Sequence, residues 1–355
     1  MTKSERPGVY TSYEISGVRY SGVENGTAGL AARADSGQEG AVYTVTNTQT
    51  AVTLFGADAP LTELVRILLL NGAAAVKAVP LLLEEGEERI ADSQYESAFL
   101  LLMAEADVKI LLCDSINDTV HQLMKSAILS GTGRFAHKVG IVECEEDEPS
   151  GLAEKAAALN CERMVLAAPG VLCSTGETAQ RGSLSAAIAG AVFSSTDPAV
   201  PLNGAELQGF YGTTRTYTDE EISILVRGGV TPIESVGGAV TVVRGITTRT
   251  MTEGVADNTW RELTTLFVVD DVIPTVRNAL KTGFIRAKNT QQTRGAIRTR
   301  VIVELEKKLR AEIIDQYDNV RVQQNDLDPT VCDVSFDFTV AHGLNQIYIT
   351  AYITV

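Results

Sequence analysis

Three histidines, five cysteines and two acidic runs are the residues of this 355-residue chain best suited to chemistry, and their spacing builds none of the common sites. His121, His137 and His342 stand far apart, and none has a His or Cys neighbour at the short spacing of a metal site. Cys113, Cys144, Cys161, Cys173 and Cys332 are scattered and odd in number, with no C-x-x-C pair, so reduced and mostly buried thiols are expected. A phosphate cradle needs its glycines between a strand and a helix N-terminus. Gly131-Thr132-Gly133 instead follows a helical pattern, and no G-x-x-x-x-G-K-[ST] occurs. The acidic runs at 84–88 and 143–148 lack the alternating ligands, central Gly and distal Glu of a calcium loop. No G-x-S-x-G elbow exposes a serine, although spacing alone leaves open a Ser-His-Asp arrangement made by folding. No cofactor, no metal and no catalytic residue are expected.

Charge is the chemical property that the sequence concentrates. The net charge is −15, yet 277–310 holds ten basic residues against the two acids Glu304 and Glu306. That block is +8 and the remainder −23, a polarity suited to a basic contact face and a separate acidic one. Phe284 is the block's single aromatic residue, too few for base stacking, so a nucleic-acid-binding protein using 277–310 is a weaker alternative. A hydrolase of α/β fold is the other.

The elements that must position these residues are legible from periodicity. After a Gly/Thr-rich opening come short strands at 41–46 and 51–55, then a helix begun by Pro60, striped by Leu61, Leu64, Val65, Leu68 and Leu69 and closed at Gly72. A strand is expected at 76–83. The middle of the chain alternates helical patterns with continuous apolar runs: a helix opened by a Ser93/Glu96 capping box, a strand 108–113, a helix 118–129, a strand 138–142, a helix 151–159, a strand 164–168 and a helix 183–193. Continuous apolar strands separated by helices are the sequence form of a doubly wound α/β unit. Strands at 222–227 and 239–245, a helix at 272–280 and a long amphipathic helix at 298–315 follow, the last with Val301, Leu305, Leu309 and Ile313 at i+4 spacing.

Both ends alternate apolar and polar residues with period two. Val9, Thr11, Tyr13 and Ile15 share one face opposite Tyr10, Ser12 and Glu14; residues 331–340 and 347–355 repeat the pattern, the latter through Ile347, Tyr348, Ile349, Tyr352, Ile353 and Val355. The terminal strand carries no Lys, Pro or bulge-forming Gly to blunt its edge, so it is expected to pair with another chain. At 45% hydrophobic residues, several cores are expected. The apolar windows, such as 64–75, fall short of the roughly 20 residues that span a bilayer, and the polar opening Met1 to Arg6 contains no secretory apolar region, so a soluble, non-secreted chain is expected.

Several short motifs, in order and nearly end to end, resemble the tail sheath proteins of contractile phages and of phage-tail-like (R-type, diffocin-like) bacteriocins. Arg6-Pro7-Gly8-Val9-Tyr10 is similar to the family's P-G-V-Y element, and Phe55-Gly56 with Leu68 to Ala73 to its F-G and F-L-N-G-G signals. Ala187-Ile188-Ala189-Gly190 with Ser195-Thr196-Asp197-Pro198 resembles A-G-x-x-A-x-x-D. Residues 225–233 resemble L-N-x-x-G-I-N-x-I, Val243 to Thr248 resembles V-x-G-x-R-T, and Trp260-Arg261 the W-R/K-Y element. The chain departs from the pattern at Ala73-Ala74, at Val226-Arg227 and at the shortened 198–201 segment.

The resemblance implies a multidomain α/β and α+β subunit. It would have an N-terminal arm (1–24), a small β-rich domain (25–90), a subtilisin-like doubly wound α/β domain (91–248), an α+β C-terminal domain (249–340) and a C-terminal arm (341–355). It further implies a non-enzymatic structural subunit of stacked hexameric rings around an inner tail tube protein, with baseplate and tail terminator proteins as further partners, and with neither nucleic acid nor direct membrane insertion involved. Assembly in the producing bacterial cytoplasm and release by lysis would follow. The arms would donate strands to neighbouring copies. Arg286, Lys288, Arg294, Arg298, Arg300, Lys307, Lys308 and Arg310 are the candidates for a tube-facing basic surface.

Overall fold

The computed structural model describes residues 26–132, 137–284 and 286–345. In chain order the elements begin with β1 (Thr27–Arg33), β2 (Tyr43–Val45), α1 (Thr48–Phe55), α2 (Pro60–Leu70), β3 (Ala75–Leu81), α3 (Asp92–Ala104), β4 (Val108–Cys113), α4 (Asp118–Thr132), β5 (Val139–Glu143), α5 (Pro149–Leu159) and β6 (Met164–Ala168). Next come β7 (Val171–Leu172), α6 (Ser183–Phe193), β8 (Gly212–Thr213), α7 (Asp219–Arg227), β9 (Val230–Val236) and β10 (Ala239–Val242). The small hairpin β11 (Met251–Thr252) and β12 (Val255–Ala256) leads into α8 (Leu263–Phe284), α9 (Gln291–Arg310), β13 (Ile314–Gln324) and β14 (Cys332–Val340).

One eight-stranded sheet, ordered β10-β9-β6-β5-β4-β1-β3-β2, organises residues 27–242. Its interior pairs are parallel, and β2 and β10 close the edges antiparallel. Successive side chains of a strand point to opposite faces, and each face has its own core. Leu30, Val76, Ile110, Ile141 and Val165 meet α1, α2 and α6; Ala31, Val79, Leu111, Val142 and Leu166 meet α3, α4, α5 and α7. The doubly wound reading holds, with a wider extent. Residues 25–90, expected as a small β-rich domain, supply three strands of this same sheet, β1 lying between β3 and β4.

The differences from the expected elements have local causes. Residues 51–55 form helix α1 instead of a strand because Asn47 caps it, its Oδ1 accepting from Thr50 N at 2.9 Å, with Ala51 and Phe55 buried one turn apart. Residues 222–227 belong to helix α7, opened by a capping box in which Glu221 N donates to Thr218 Oγ1 (3.3 Å) and Thr218 N to the Glu221 carboxylate (2.8 Å). The box expected at Ser93 is displaced: Ala91 N donates to Gln94 Oε1 at 3.0 Å. Helix α9 starts at Gln291 and stops at Arg310, short of the expected 315. Glu312 takes a left-handed conformation (φ 56°), its N–H returns to Leu309 O (3.0 Å) and that of Ile313 to Lys308 O (3.0 Å). This is a helix stop usually made by glycine, and Ile313 still packs on the apolar face while the chain turns into β13.

Residues that carried the family resemblance sit at element crossings. Asn71, at the end of α2, accepts from Gln208 N (2.8 Å) and donates to Ile67 O (2.9 Å) and Gln208 O (3.1 Å). A Cβ on Gly190 of α6 would lie 2.5 Å from Asn71 Cβ and 2.9 Å from Leu68 O, so only glycine lets α6 approach α2 this closely. Thr248 Oγ1 accepts from Cys161 N (3.1 Å) and donates to Cys161 O (3.0 Å), while Thr247 Oγ1 donates to Trp260 O (2.6 Å). These contacts tie the 243–248 segment to the start of β6 and to the approach of α8.

Candidate assembly surfaces

A third core, apart from the two faces of the sheet, holds the C-terminal elements together. Val268, Val272 and Val276 of α8 pack with Val301 and Leu305 of α9 and with Ile314 and Val320 of β13. Two adjacent acids on α8 anchor this unit in opposite directions. Asp270 receives Arg163 of the sheet body in a two-pronged pair at 3.0 and 3.0 Å, with both side chains buried. Burial pushes the Asp270 carboxyl up, and the guanidinium opposes it. Asp271 pairs with Lys308 of α9 at 2.5 Å. Sequence reasoning missed both contacts, because Arg163 and Asp270 stand 107 residues apart and no local pattern joins them.

Strands β13 and β14 form a two-stranded antiparallel hairpin that, among the described residues, pairs with no other strand. Its inner face sets Phe336 and Phe338 against the helices, with ring centroids 6.2 Å apart, and its outer face carries Asp333, Ser335 and Asp337. A bulge centred on Asn319 (φ 52°) shifts the register between Asp318 and Arg321, and Asn319 Nδ2 donates to Asp337 Oδ2 at 2.6 Å. Among the described residues, each strand therefore keeps one lateral edge that no other strand pairs. The expected strand of 331–340 is β14, whereas β13 was read partly as helix.

The expected arm residues Val9, Tyr10, Thr11, Tyr13 and Ile15, and Ile347, Tyr348, Ile349, Tyr352, Ile353 and Val355, lie outside the described residues. The basic candidates divide into four groups. Arg286 and Lys288 are exposed in the turn between α8 and α9. Arg294 and Arg298 of α9 reach the hairpin side, Arg294 Nη1 donating to Asn289 Oδ1 (2.9 Å) and to Gln324 Oε1 (3.3 Å), and Arg298 Nε to Val320 O (2.9 Å). Arg300 and Lys307 flank the buried Glu304 at 3.0 and 2.9 Å, and Arg310 meets Glu306 at 3.3 Å. Lys308 points inward to Asp271, which separates it from the exposed set. Exposed helix pairs of this kind are weak, about 0.3–0.5 kcal/mol each, so most of the basic charge stays available to an outside acidic surface.

The carboxyl ends of the parallel strands, where an α/β enzyme keeps its chemistry, are filled by the protein itself. The half-buried Glu143 carboxylate at the end of β5 accepts from Gly182 N, from Leu184 N (3.1 Å) and from Ser185 N (3.3 Å), occupying the N-terminus of α6 where a hydrolase would receive an oxyanion. Burial pushes its carboxyl up to about 7, against the three N–H donors. Asp114 at the end of β4 accepts from Tyr95 Oη (2.6 Å) and Arg33 N (2.9 Å). His121 Nε2 lies 2.9 Å from Ser115 O and His342 is exposed. His137, expected to be satisfied or at the surface, is buried with neither ring nitrogen hydrogen-bonded; burial, and then the nearby Arg163 cation, push it down to about 3. Cys113 and Cys161 are buried and the other three cysteines half-buried, all free thiols. No cluster of three or more His, Cys, Asp or Glu suited to a metal occurs among the described residues. No helix among them is long and apolar enough to cross a membrane.

This architecture, a doubly wound body carrying a helical unit and a two-stranded hairpin, is similar in fold to solved contractile sheath proteins. Residues 255–354 match the phage tail sheath C-terminal domain. The tail sheath protein of Bacillus phage SP01 is 28% identical over 254 residues, covering 70% of this chain; the chain spans 43% of that relative's length. The contracted helical sheath of the anti-feeding prophage superposes with a TM-score of 0.73 at 16% identity over 99% of both chains. The contracted sheath complex of the PVC extracellular contractile injection system gives 0.72 at 15% identity, covering 100% of this chain and 99% of that one. The sheath tail protein of Desulfitobacterium hafniense gives 0.70 at 12%, covering 94% and 100%. The resemblance read from the sequence motifs is borne out.

Proposed function

We propose that this chain is a structural, non-enzymatic subunit of a contractile tail sheath. It polymerises as stacked six-fold rings around an inner tube and drives that tube through a target envelope by contracting from a metastable extended state. The observation that carries this reading is the likeness of the fold, over nearly its whole length, to contracted sheaths. The open β13–β14 hairpin supplies the joint. Its two free edges suit the alternating arms of neighbouring copies, which add strands through backbone hydrogen bonds while side-chain alternation sets register. At about 0.5–1.5 kcal/mol net per hydrogen bond, such strands hold a mesh together while the bodies reorient.

The basic face of α9 is the candidate contact with an acidic tube. Individually weak ion pairs suit a surface that must release in sequence when contraction spreads. The body at 91–248 is read as subtilisin-like in fold without its chemistry, consistent with Glu143 filling the α6 N-terminus. Baseplate and terminator proteins cap the assembly, which forms in the producing cell and leaves by lysis.

Electron microscopy of the purified protein tests the reading. Sheath-like tubes are expected from the full chain and soluble subunits from a chain ending at residue 346. Dispersed full-length monomers under all assembly conditions, or normal tubes from the truncated chain, overturn the reading or its arm assignment respectively.

A further inference from the structure

Helix α8 passes from one core to another. Its first turn seats Leu263 and Leu266 in the sheet body, whereas Val268, Val272 and Val276 belong to the third core with α9 and β13. Pro274, buried inside the helix, has no N–H to give to the carbonyl of Asp270 one turn earlier, so the helix lacks a rung at the residue that holds Arg163. The packing beside that point is incomplete. A cleft of about 180 Å³ lies between the sheet and α8, with Lys109, Ile110, Leu263, Phe267, Asp270 and Asp271 in its lining.

The sheet body brings one uncharged ring to this junction. Gly140 N donates to Arg163 O at 2.8 Å, so β5 and β6 start side by side. Val139 and Val165 both face the first core, and alternation sets His137 and Arg163, two residues before them, on that same face. Lys138 goes the other way, its Nζ donating to Val108 O at 2.8 Å. His137 is buried with neither ring nitrogen hydrogen-bonded. The nearest charge is Arg163 of β6, held by Asp270 of α8. Asp271 is held by Lys308 of α9 and interacts with Lys109 of β4, and Arg277 lies two turns along the same face of α8. Helix α6, which covers this face of the sheet, carries no ionisable side chain.

We propose that α8 is hinged at Asp270–Pro274, so that the C-terminal unit turns against the sheet body, latched by the Arg163–Asp270 pair and unlatched by protonation of His137. The two carboxylates of the junction already serve Arg163 and Lys308, so a second cation beside Arg163 finds no acceptor of its own. Separating α8 from the sheet admits water to the ring and the guanidinium together. In the closed junction burial, and then Arg163, hold the His137 pKa down to about 3, whereas an open junction returns it to the ordinary 6.5. Opening is therefore favoured by up to about tenfold for each pH unit below 6.5. The missing rung at Pro274 lets the motion occur with both cores intact. The inference rests on the pair, the ring and the break in α8, and stands apart from the sheath reading.

Trp260, the chain's single tryptophan, is tied to the body through its carbonyl, which accepts from Thr247 Oγ1. Energy transfer from it to a pH-insensitive fluorescent amino acid encoded at the exposed Ser335 of β14 tests the proposal on the dilute full chain. As pH falls from 6.5 to about 4.5 the parent should shift toward a second transfer efficiency with its far-UV circular dichroism unchanged. Asp270→Asn should show that second value at neutral pH already, and His137→Met should keep the first value throughout. Pro274→Ala should cut the shift about twofold or more. A constant efficiency in the parent overturns the proposal, as does a shift that His137→Met or Pro274→Ala leaves in place, or one that comes with loss of the helical signal. An Asp270→Asn chain that matches the parent at neutral pH overturns it as well.

Discussion

Arg163 and Asp270 form a fully enclosed two-pronged ion pair, 3.0 Å at each prong, joining the strand-β6 end of the sheet body to the first half of α8. Beside it on α8, Asp271 holds Lys308 of α9, so the C-terminal helices are tied both to the body and to each other through consecutive residues.

Removing one partner of the buried pair leaves an uncompensated charge, at a cost of about 3–5 kcal/mol, whereas replacing both by apolar residues of similar size removes the desolvation penalty as well. Asp270→Leu alone is therefore expected to lower stability by that amount and Arg163→Met/Asp270→Leu together by much less. Chemical denaturation of the two variants measures the difference. Equal losses would show that the pair does not act as a unit.

His137 gives a pH dependence of definite sign. Its folded pKa is lowered from the ordinary 6.5 to about 3, so below pH 6.5 the unfolded chain takes up a proton that the folded one refuses. Its contribution is complete above pH 6.5 and is lost as pH falls toward 3, on the order of 5 kcal/mol in all. His137→Met should flatten the stability profile between pH 6.5 and 4. A profile parallel to that of the parent chain would remove His137 as its source.

The basic residues of α9 should separate by position. Lys308→Glu sets a carboxylate against Asp271 and is expected to destabilise the fold by about 2–3 kcal/mol, while Arg310→Glu stays within about 0.5 kcal/mol. Thermal melting of the subunits reads both effects, and cosedimentation with the proposed inner tube reads attachment. Arg286, Lys288 and Arg310 reversed together should weaken tube attachment with the melting temperature unchanged.

Asn71→Ala strands the Gln208 amide in a partly buried crossing and should cost about 1–3 kcal/mol. Asn71→Asp keeps the acceptor for Gln208 N, loses both donated bonds and should fall between Ala and the parent. Denaturant midpoints for the three chains give the order.

Much of the sheet was legible because fully buried parallel strands are continuous apolar runs. Residues 108–113 and 164–168 coincide with β4 and β6, and 183–193 with α6. Strand β1 escaped notice although it is central. Its sequence, Thr27-Ala-Gly-Leu-Ala-Ala-Arg33, carries small residues with little strand preference, and only the packing of helices on both faces makes it a strand. Residues 51–55 and 222–227 carry short apolar runs that suggest strands, although the Asn47 and Thr218/Glu221 caps that make them part of helices are present in the sequence. The end of α9 was hidden because Glu312 takes a conformation normally signalled by glycine.

The sequence by itself determined the alternation of strands and helices, the concentration of positive charge at 277–310 and the absence of the common catalytic motifs, since these are properties of periodicity and residue type. Tertiary structure alone decided that Arg163 meets Asp270, that Lys308 turns inward while Arg310 does not, that Glu143 fills the α6 N-terminus, and that Asn203 meets Asn345. Those relationships join residues far apart in the chain, where no local pattern links them, and they exist only once long-range packing has brought the elements together.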